Sequence, residues 1–262
     1  MQTDLDQLAR RQVADYDTAQ PGTAFGSPGL SLTIAEAYEL QFKVVHLRLL
    51  RGEAIAGYKV GCVSRAVQNQ LGINEPVFGH IFAGEAHRGG AKLPAKRFER
   101  LAVEGEFAVR IAQDVPGADW LVANPAQAID AAFPVIELHN YICRAPFSER
   151  AQELIANNGL HAGVVLPDLR PGFRGPDGLL DETITVNRNG TALGAATGAE
   201  LPGGPIASVL WLAERLKAFG IGLRRGQIVL TGSPLPLFEA SPGDRFEVKS
   251  GSLGNVALEI AR

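Results

Sequence analysis

The sequence predicts an α+β protein, in which a helical N-terminal region precedes a mixed β-rich domain. Residues 1–53 contain two segments in which apolar residues recur at helical spacing, each preceded by a capping motif. Residues 54–262 contain many short apolar segments bounded by glycine or proline, which is typical of strands. Since single domains commonly reach about 200–250 residues, we expect both regions to form one compact unit.

The N-terminal region is predicted to contain two helices. The letters TDLD at residues 3–6 match a capping box, and the apolar residues of segment 5–13 share one side of a helix. A loop rich in proline and glycine spans residues 20–29. A second capping box, from Thr33 to Glu36, begins a longer helix, and Gly52 is placed to end it.

The β-rich region is predicted to contain strands at residues 55–62, 101–112, 133–138, 161–166, 183–187, 227–231, 245–249 and 255–260. Asn189 and Gly190 favour the positive φ angles of a tight hairpin turn. One helix interrupts the strands, from about Pro205 to Phe219. Its apolar residues share one face, and Gly220 follows its end.

Composition excludes several classes of protein. Apolar residues make up 46% of the chain and the net charge is −3, which is ordinary for a globular protein and excludes a disordered one. No basic run indicates nucleic-acid binding, and no apolar stretch approaches the ~18 residues of a membrane span. The N-terminus lacks a secretory signal, so we expect a cytoplasmic protein in which Cys62 and Cys143 are reduced and buried.

The clearest candidate for chemistry is the segment Glu104-Gly105-Glu106 of a predicted strand. Residues two apart in a strand face the same side, so the two carboxylates project together. Like charges side by side repel each other unless a cation or solvent separates them. Carboxylate oxygens suit Mg²⁺ or Mn²⁺ better than zinc, which makes a metal site one interpretation. A solvated strand face is the more common explanation of such a pair.

A third carboxylate lies within another apolar strand. Glu137 is the charged residue of the segment FPVIEL, and a charge in such a run is rarely buried without a partner. Together with Glu104 and Glu106 it could form a site of three carboxylates, with positions left open for substrate and water. The alternative is that Glu137 lies at the exposed end of its strand.

Lys59 is a lone lysine in an apolar strand. Gly57 and Gly61 flank it and permit the close approach of another backbone. Burial would lower the pKa of its amine, which would suit a role in proton transfer. The competing interpretation is a lysine at a sheet edge whose amine reaches solvent.

Six short motifs, taken together, resemble one family. The motifs are GYKVG (57–61), SRAVQ (64–68), NEP (74–76), EGE (104–106), VIE (135–137) and LTGS (230–233). Each is unspecific by itself, but they occur in the order seen in 2-keto-4-pentenoate hydratases. Those enzymes belong with 4-oxalocrotonate decarboxylases to one branch of the fumarylacetoacetate hydrolase superfamily. The resemblance covers nearly the whole chain.

The resemblance implies a fold, a cofactor and residue roles. The fold is a strongly curved, mixed β-roll with an N-terminal helical region and a few outer helices, and the proteins are homo-oligomers. Glu104, Glu106 and Glu137 match the three metal-binding glutamates, and Lys59 matches the active-site lysine. The metal, Mg²⁺ or Mn²⁺, chelates the carboxylate and the 2-oxo oxygen of a short unsaturated acid. The residues expected to line the substrate pocket are Ser64, Val77, His139, Asn158, His161 and Ser233.

The chain departs from the family pattern at several charged positions. Val77 stands where the hydratases commonly have an aspartate, a candidate acid–base group for water addition, and an apolar residue there is closer to the decarboxylase pattern. Asn140 and Ile142 stand in place of an aspartate and an arginine, and Asn157 replaces a further aspartate.

These departures leave three functional hypotheses. The first is a metal-dependent hydratase of 2-hydroxy-dienoic or 2-oxo-enoic acids in the breakdown of aromatic compounds. The second is a decarboxylase of a related 2-oxo-enedioic acid, which Val77 favours. The third is a non-catalytic member of the fold that acts as a partner subunit, which the lost charges permit. We favour the first, with a small-molecule acid as its substrate.

Overall fold

The computed structural model describes residues 4–27, 29–168, 175 and 177–262. Its helices are α1 (Leu5–Asp17), α2 (Ile34–Leu50), α3 (Arg65–Leu71), α4 (Ala118–Ala123), α5 (Pro125–Ala128), α6 (Arg150–Ala156), α7 (Asp177–Leu180) and α8 (Pro205–Ala218). Its strands are β1 (Ile55–Gly61), β2 (Val77–Phe82), β3 (Ala86–Arg88), β4 (Ala91–Pro94), β5 (Leu101–Ile111), β6 (Ile129–Asn140), β7 (His161–Leu166), β8 (Thr183–Arg188), β9 (Thr191–Thr197), β10 (Ile228–Leu230), β11 (Phe238–Glu239), β12 (Arg245–Ser250) and β13 (Gly254–Ala261).

The two N-terminal helices begin at capping residues. Asp4 caps α1 by accepting a hydrogen bond from the backbone N–H of Gln7, whereas the predicted cap, Thr3, lies outside the described residues. The capping box predicted for α2 is confirmed, because Thr33 and Glu36 each accept the backbone N–H of the other. Such reciprocal bonds satisfy donors that the first turn of a helix leaves free.

The strands form two sheets of mixed direction. The larger sheet has the order β2-β1-β10-β5-β6-β7-β3, with β11 also pairing to β5, and the smaller sheet has the order β4-β13-β12-β8-β9. The pairs β1/β10, β3/β7 and β4/β13 are parallel, and the other pairs are antiparallel. Helices and mixed sheets occur together, so the predicted α+β class is confirmed.

The two faces of the larger sheet have different roles. Gly105 on β5 faces the smaller sheet, where an added Cβ would lie 2.5 Å from Cγ2 of Val186 and 3.2 Å from Cγ2 of Val248. Residues 104 and 106 therefore face the other way, because neighbours in a strand alternate. A buried apolar cluster lies on that second face: Ile81, Ala108, Ala131, Phe133, Val135, Val164, Ile228 and Leu230.

Buried glutamines join the N-terminal helices to the rest of the chain. Nε2 of Gln41 on α2 donates hydrogen bonds to the carbonyl oxygens of Phe78, at 3.1 Å, and Ile155, at 2.6 Å. Nε2 of Gln12 on α1 donates to the carbonyl oxygen of Ala156, at 2.7 Å.

The division of the chain into a helical region, residues 1–53, and a β-rich domain, residues 54–262, stays a prediction. No helix in the described part of the chain is both long enough and apolar enough to cross a bilayer.

The structure differs from the sequence prediction mainly in short elements. Seven of the eight predicted strands are present with ends shifted by at most one residue, whereas β6 spans residues 129–140 and only 133–138 was predicted. The hairpin turn has φ angles of +52° at Asn189 and +84° at Gly190. The sequence pattern missed β2, β3, β4, β9, β11 and the helices from α3 to α7. These elements are short, and strands such as β9 (TALGAAT) form because a neighbour pairs with them rather than through propensity.

Cys62 and Cys143 are free as expected, but both are half-buried instead of buried.

Gly57 allows β1 to lie close to β10. An added Cβ would lie 2.0 Å from the carbonyl oxygen of Ile228 and 2.8 Å from its nitrogen, so the two strands would have to separate. We expect Gly57→Ala to lower the free energy of unfolding by at least about 1–3 kcal/mol, as overpacking does, and to lower the thermal midpoint accordingly. Gly84→Ala is the matched control, because no described atom lies within 4 Å of its added Cβ. Equal midpoints for the two variants would contradict this explanation.

Candidate active site

Strand pairing brings three carboxylates to one face of the larger sheet. Glu104 and Glu106 lie two residues apart on β5, and Glu137 on β6 is the direct cross-strand partner of Glu104. Side chains at these positions share a face of the sheet. Glu106 and Glu137 are buried, and the side chain of Glu104 is 21% exposed.

Lys59 approaches the same carboxylates from β1. Its Nζ lies 3.3 Å from Oε1 of Glu137 and donates a hydrogen bond to the carbonyl oxygen of Gly159, at 3.2 Å. The side chain of Lys59 is only 4% exposed. A lysine at a sheet edge whose amine reaches solvent is therefore excluded.

The pKa of the Lys59 amine is raised, and our expectation that it would be lowered was wrong. Burial acts to lower this pKa, but the negative charge of Glu137, followed by those of Glu106 and Glu104, outweighs burial. The expectation was wrong because it considered only the burial of Lys59 in an apolar strand and not the carboxylates of the neighbouring strands. The amine is an ammonium ion that partners the carboxylates.

Two buried histidines lie on either side of Glu137. Nε2 of His139 is 3.1 Å from Oε2 of Glu104 and 3.4 Å from Oε2 of Glu137. His161 on β7 places Nδ1 at 2.7 Å from Oε1 of Glu137. Burial lowers the pKa of His139, but the charges of Glu137 and Glu104 outweigh it and raise this pKa to about 9.

The pKa values of the two fully buried carboxylates are shifted in opposite directions. The pKa of Glu106 is raised well above its usual range by burial and by the negative charges of Glu137 and Glu104. Burial also acts to raise the pKa of Glu137, but the charges of Lys59 and His139 hold it well below the usual range. The positive charges beside Glu137 therefore favour its ionised form, whereas burial and like charge disfavour the ionised form of Glu106.

This group of side chains fits a divalent cation. One donor atom each from Glu104, Glu137 and His139 lie within 4.8 Å of one another. Oε2 of Glu137 is buried and has no hydrogen-bond partner among the described residues. Carboxylate oxygens are the ligands that Mg²⁺ and Mn²⁺ prefer. Glu106, the third predicted ligand, is not part of this close group; its Oε2 accepts the backbone N–H of Gly232, at 2.8 Å.

Val77 lies near the amine of Lys59. Strand pairing places Val77 opposite Gly61, two residues from Lys59 on β1. A Cβ added at Gly61 would lie 3.1 Å from Nζ of Lys59 and 3.8 Å from Cγ2 of Val77. Val77 is 2% exposed. The residue thus presents a buried methyl group on the side of the site where Lys59 lies.

Two of the serines expected in the pocket hold turns. Ser64 caps α3 by accepting the backbone N–H of Val67. Oγ of Ser233 lies 2.8 Å from the carbonyl oxygen of Leu235 and accepts the backbone N–H of that residue at 3.1 Å. Oγ of Ser233 also lies 3.2 Å from the carbonyl oxygen of Gly105, so this turn is joined to β5 between Glu104 and Glu106.

Asn158 fixes the turn whose carbonyl oxygen binds Lys59. Its side chain accepts the backbone N–H of His80 at 2.7 Å and donates to the carbonyl oxygen of His80 at 2.8 Å. Asn158 and Gly159 have left-handed φ angles of +54° and +64°. Their contact with Lys59 was not predicted; the one local signal was the Asn-Asn-Gly sequence, which favours such a turn. Burial lowers the pKa of His80 to about 3, so this imidazole is neutral.

The asparagines that replace family aspartates contact other elements. Oδ1 of Asn140 accepts the backbone N–H of Glu99, at 3.0 Å. Oδ1 of Asn157 accepts a hydrogen bond from the hydroxyl of Tyr16, at 2.7 Å. Among the described hydrogen bonds, none joins either amide to the three carboxylates. Asn140 lines one cavity with Asn158 and with His161, the histidine that contacts Glu137.

Comparison with known proteins agrees with the fold and with the family resemblance. Residues 63–261 match the family model described as fumarylacetoacetate (FAA) hydrolase C-terminal. The chain is 31% identical over 229 residues to a 2-keto-4-pentenoate hydratase of Burkholderia vietnamiensis, covering 87% of this chain and 86% of the relative. It is 30% identical over 236 residues to a 2-oxo-hept-4-ene-1,7-dioate hydratase of Escherichia coli, covering 87% of each chain.

A solved structure shares the whole architecture. The 4-oxalocrotonate decarboxylase from Pseudomonas putida G7, complexed with magnesium and adipate, superposes with a TM-score of 0.84 at 22% identity. The superposition covers 98% of this chain and 97% of that chain, helical N-terminal region included. The β-roll expected from the resemblance is thereby confirmed. With a family model that matches most of its length, the chain belongs to the fumarylacetoacetate hydrolase C-terminal family.

Proposed function

We propose that this protein is a metal-dependent hydratase that adds water to a short 2-hydroxy-dienoate, or to its 2-oxo-enoate form, in aromatic-compound catabolism. The observation that carries the proposal is the placement of Glu104, Glu106 and Glu137 on one buried sheet face beside the ammonium of Lys59. The two hydratases at 30% identity or more support the reaction class.

The three carboxylates are proposed to hold Mg²⁺ or Mn²⁺. When bound, such an ion supplies Lewis acidity toward the carboxylate and 2-oxo oxygens of the substrate. Glu137 is kept in place for this role by Lys59 and by His161, which both contact its Oε1. Holding a ligand from a second side fixes its orientation before the cation arrives.

Lys59 is proposed as the acid–base residue that transfers a proton during the reaction. Its ammonium carries three N–H donors, of which one is directed to the carbonyl oxygen of Gly159 and another faces Glu137. The remaining donor is available to an anionic substrate on the carboxylate face. A positioned acid or base of this kind contributes about 10²–10⁴-fold to a rate.

The apolar cluster beside the carboxylates suits the hydrocarbon part of the substrate. Val135 is the cross-strand partner of Glu106, and Phe133 is that of Ala108 on the same face. These side chains exclude water from the floor of the site, which strengthens the electrostatic interactions of Lys59 with an anion. The face thus combines a charged centre with an apolar surface beside it.

Two substrates distinguish the candidate reactions. The protein with Mg²⁺ or Mn²⁺ is incubated with 2-hydroxypenta-2,4-dienoate and, separately, with 4-oxalocrotonate, while dienol absorbance and CO₂ release are followed. Loss of dienol absorbance without CO₂ is the expected result. CO₂ release from 4-oxalocrotonate would instead identify a decarboxylase. No reaction with either substrate would favour the non-catalytic partner subunit.

A decarboxylase is the second candidate, and Val77 favours it. The residue is buried near Lys59 and has no group that could transfer a proton to or from water. A decarboxylation needs an electron sink but no added water. A buried apolar side chain near Lys59, which excludes water, would therefore suit this reaction.

Introducing an aspartate at position 77 tests the role of this apolar side. We expect Val77→Asp to raise the rate of water addition by about tenfold or more, because it adds an acid–base group beside Lys59. Burial of the new carboxylate costs several kcal/mol, roughly, unless Lys59 pairs with it, so thermal unfolding is measured first. Val122→Asp on α4, where the valine is 64% exposed, is the control for an added charge. A folded Val77→Asp protein with an unchanged rate would show that the proton is handled elsewhere.

Two further properties stay predictions from the sequence. The protein is expected to be cytoplasmic and to form a homo-oligomer. Size-exclusion chromatography with light scattering measures the oligomeric state, and a monomeric mass would contradict that expectation.

A further inference from the structure

Three consecutive residues beside Lys59 have left-handed backbone conformations. Asn158, Gly159 and Leu160 have φ angles of +54°, +64° and +59°. The backbone N–H of Leu160 donates to the carbonyl oxygen of Asn157 at 2.9 Å, which closes a tight turn over residues 157–160. Asparagine and glycine adopt such angles readily, whereas a bulky residue such as leucine does so only where its surroundings enforce it. The conformation of the turn is therefore imposed by its contacts.

Asn158 supplies the contact that fixes this turn to β2. Its side chain accepts the backbone N–H of His80 at 2.7 Å and donates to the carbonyl oxygen of the same residue at 2.8 Å. Gly79 permits this close approach, since an added Cβ there would lie 2.5 Å from the carbonyl oxygen of Asn158. Asn158 is buried, so loss of its side chain would leave polar backbone groups of β2 without their partner.

The turn gives the ammonium of Lys59 a neutral acceptor in addition to the carboxylates. Nζ donates to the carbonyl oxygen of Gly159 at 3.2 Å and lies 3.3 Å from Oε1 of Glu137. A Cβ added at Gly159 would lie 3.2 Å from both Cδ and Nζ of Lys59, so the turn packs against the lysine side chain. Lysine is a point charge on a flexible stem, and attraction by carboxylates alone leaves its direction variable. An acceptor in a fixed turn removes that freedom.

We propose that Asn158 is a positioning residue for the reaction of Lys59. By bonding the turn to β2, it keeps the carbonyl oxygen of Gly159 against the ammonium and thereby directs the remaining N–H donor toward the substrate. This inference rests on the proposed function, in which Lys59 transfers a proton. The opposing explanation is that Asn158 stabilises the fold and has no effect on Lys59 in the reaction.

Replacing Asn158 by glycine tests the proposal. Glycine adopts the left-handed φ angle at no steric cost, so the variant loses the two hydrogen bonds to His80 and little else. We expect kcat to fall on the order of 10²-fold, which is the cost of misplacing a reacting group by about 1 Å. KM for the dienoate and the affinity for Mn²⁺ should be nearly unchanged, because the lost contact acts in the transition state.

Asn189→Gly is the matched control. Asn189 also has a left-handed φ angle, +52°, and also precedes a glycine. Its side chain likewise accepts a backbone N–H, from Arg245 at 2.8 Å, and donates to Oδ1 of Asp244 at 2.8 Å, but it lies in the hairpin of the smaller sheet. This variant should have a lower thermal midpoint and a wild-type kcat. Equal losses of kcat in the two variants would make Asn158 a structural residue.

A double-mutant cycle with Lys59→Met separates positioning from a general effect on the site. Once the ammonium is absent, Asn158 has nothing to position, so Lys59→Met/Asn158→Gly should turn over within about twofold of Lys59→Met alone. A further loss on the order of 10²-fold in the double variant would overturn the proposal. If Asn158→Gly unfolds below the assay temperature, Gly79→Ala displaces the same turn from β2, and the same cycle is measured with it.

The cycle also distinguishes this inference from the proposed function. Wild-type turnover of the dienoate that is lost in Lys59→Met but kept in Asn158→Gly would overturn the positioning role and leave the hydratase proposal standing. If the wild-type protein releases CO₂ from 4-oxalocrotonate instead, the hydratase proposal is wrong, and the cycle is measured on that reaction with the same expectation. No turnover of either substrate would overturn both.

Discussion

Replacing Lys59 by methionine is expected to reduce turnover by about 10²–10⁴-fold, the usual contribution of a positioned acid–base group. Methionine keeps most of the side-chain length and removes the ammonium that lies 3.3 Å from Oε1 of Glu137. The carboxylates remain, so metal binding should persist. The measurement is kcat in the dienol assay, accompanied by the thermal midpoint and a Mn²⁺ titration of the same preparation.

Lys249→Met is the matched control for this substitution. The side chain of Lys249 is 55% exposed on β12, so the variant should turn over as the wild-type protein does. Turnover of Lys59→Met within a few-fold of the control would reduce Lys59 to a structural ion-pair partner. If Lys59→Met loses metal binding as well as turnover, the lysine supports the metal-binding carboxylates and does not itself transfer a proton.

Replacing Glu137 by glutamine is expected to weaken Mn²⁺ or Mg²⁺ binding by at least about 100-fold. Loss of residues that merely support a ligand commonly costs about 10–100-fold in affinity, and loss of the ligand itself should cost no less. Glutamine preserves the shape of the side chain and removes the negative charge that Lys59, His139 and His161 surround. The dissociation constant is measured by calorimetric titration of the metal-free protein.

Glu259→Gln provides the comparison for Glu137→Gln. The side chain of Glu259 is 42% exposed on β13, and its removal should leave metal affinity unchanged. An unchanged dissociation constant for folded Glu137→Gln would contradict the proposed site. The two substitutions also separate the two roles, because Lys59→Met should lower kcat at saturating metal, whereas Glu137→Gln should raise the metal concentration that activity requires.

The parts of the fold that could be predicted from the sequence are those with strong local patterns. The helix from Ile34 to Leu50 carries its own capping box, and the long strands β5 and β6 are apolar and rich in β-branched residues. The missed elements are short, and they exist because a partner strand or helix is present. The pairing of β1 with β10, which brings Lys59 to the carboxylates, joins segments far apart in the chain, and no local pattern specifies it.

The same distinction holds within the candidate site. Glu104 and Glu106 could be placed on one face from their spacing alone, since a strand alternates. The raised pKa of Lys59 could not be predicted, because it depends on carboxylates contributed by two other strands. For the same reason the sequence did not indicate that Glu106 faces Gly232 while His139 faces Glu104.

Anomalous diffraction from crystals of the protein soaked in Mn²⁺ tests the central claim most directly. The claim is that the carboxylates on the buried face of the larger sheet bind a divalent metal. We predict one strong anomalous peak, about 2.0–2.2 Å from carboxylate oxygens of Glu104 and Glu137. A peak located away from these side chains, or no peak at full soaking concentration with the carboxylates pointing apart, would contradict it.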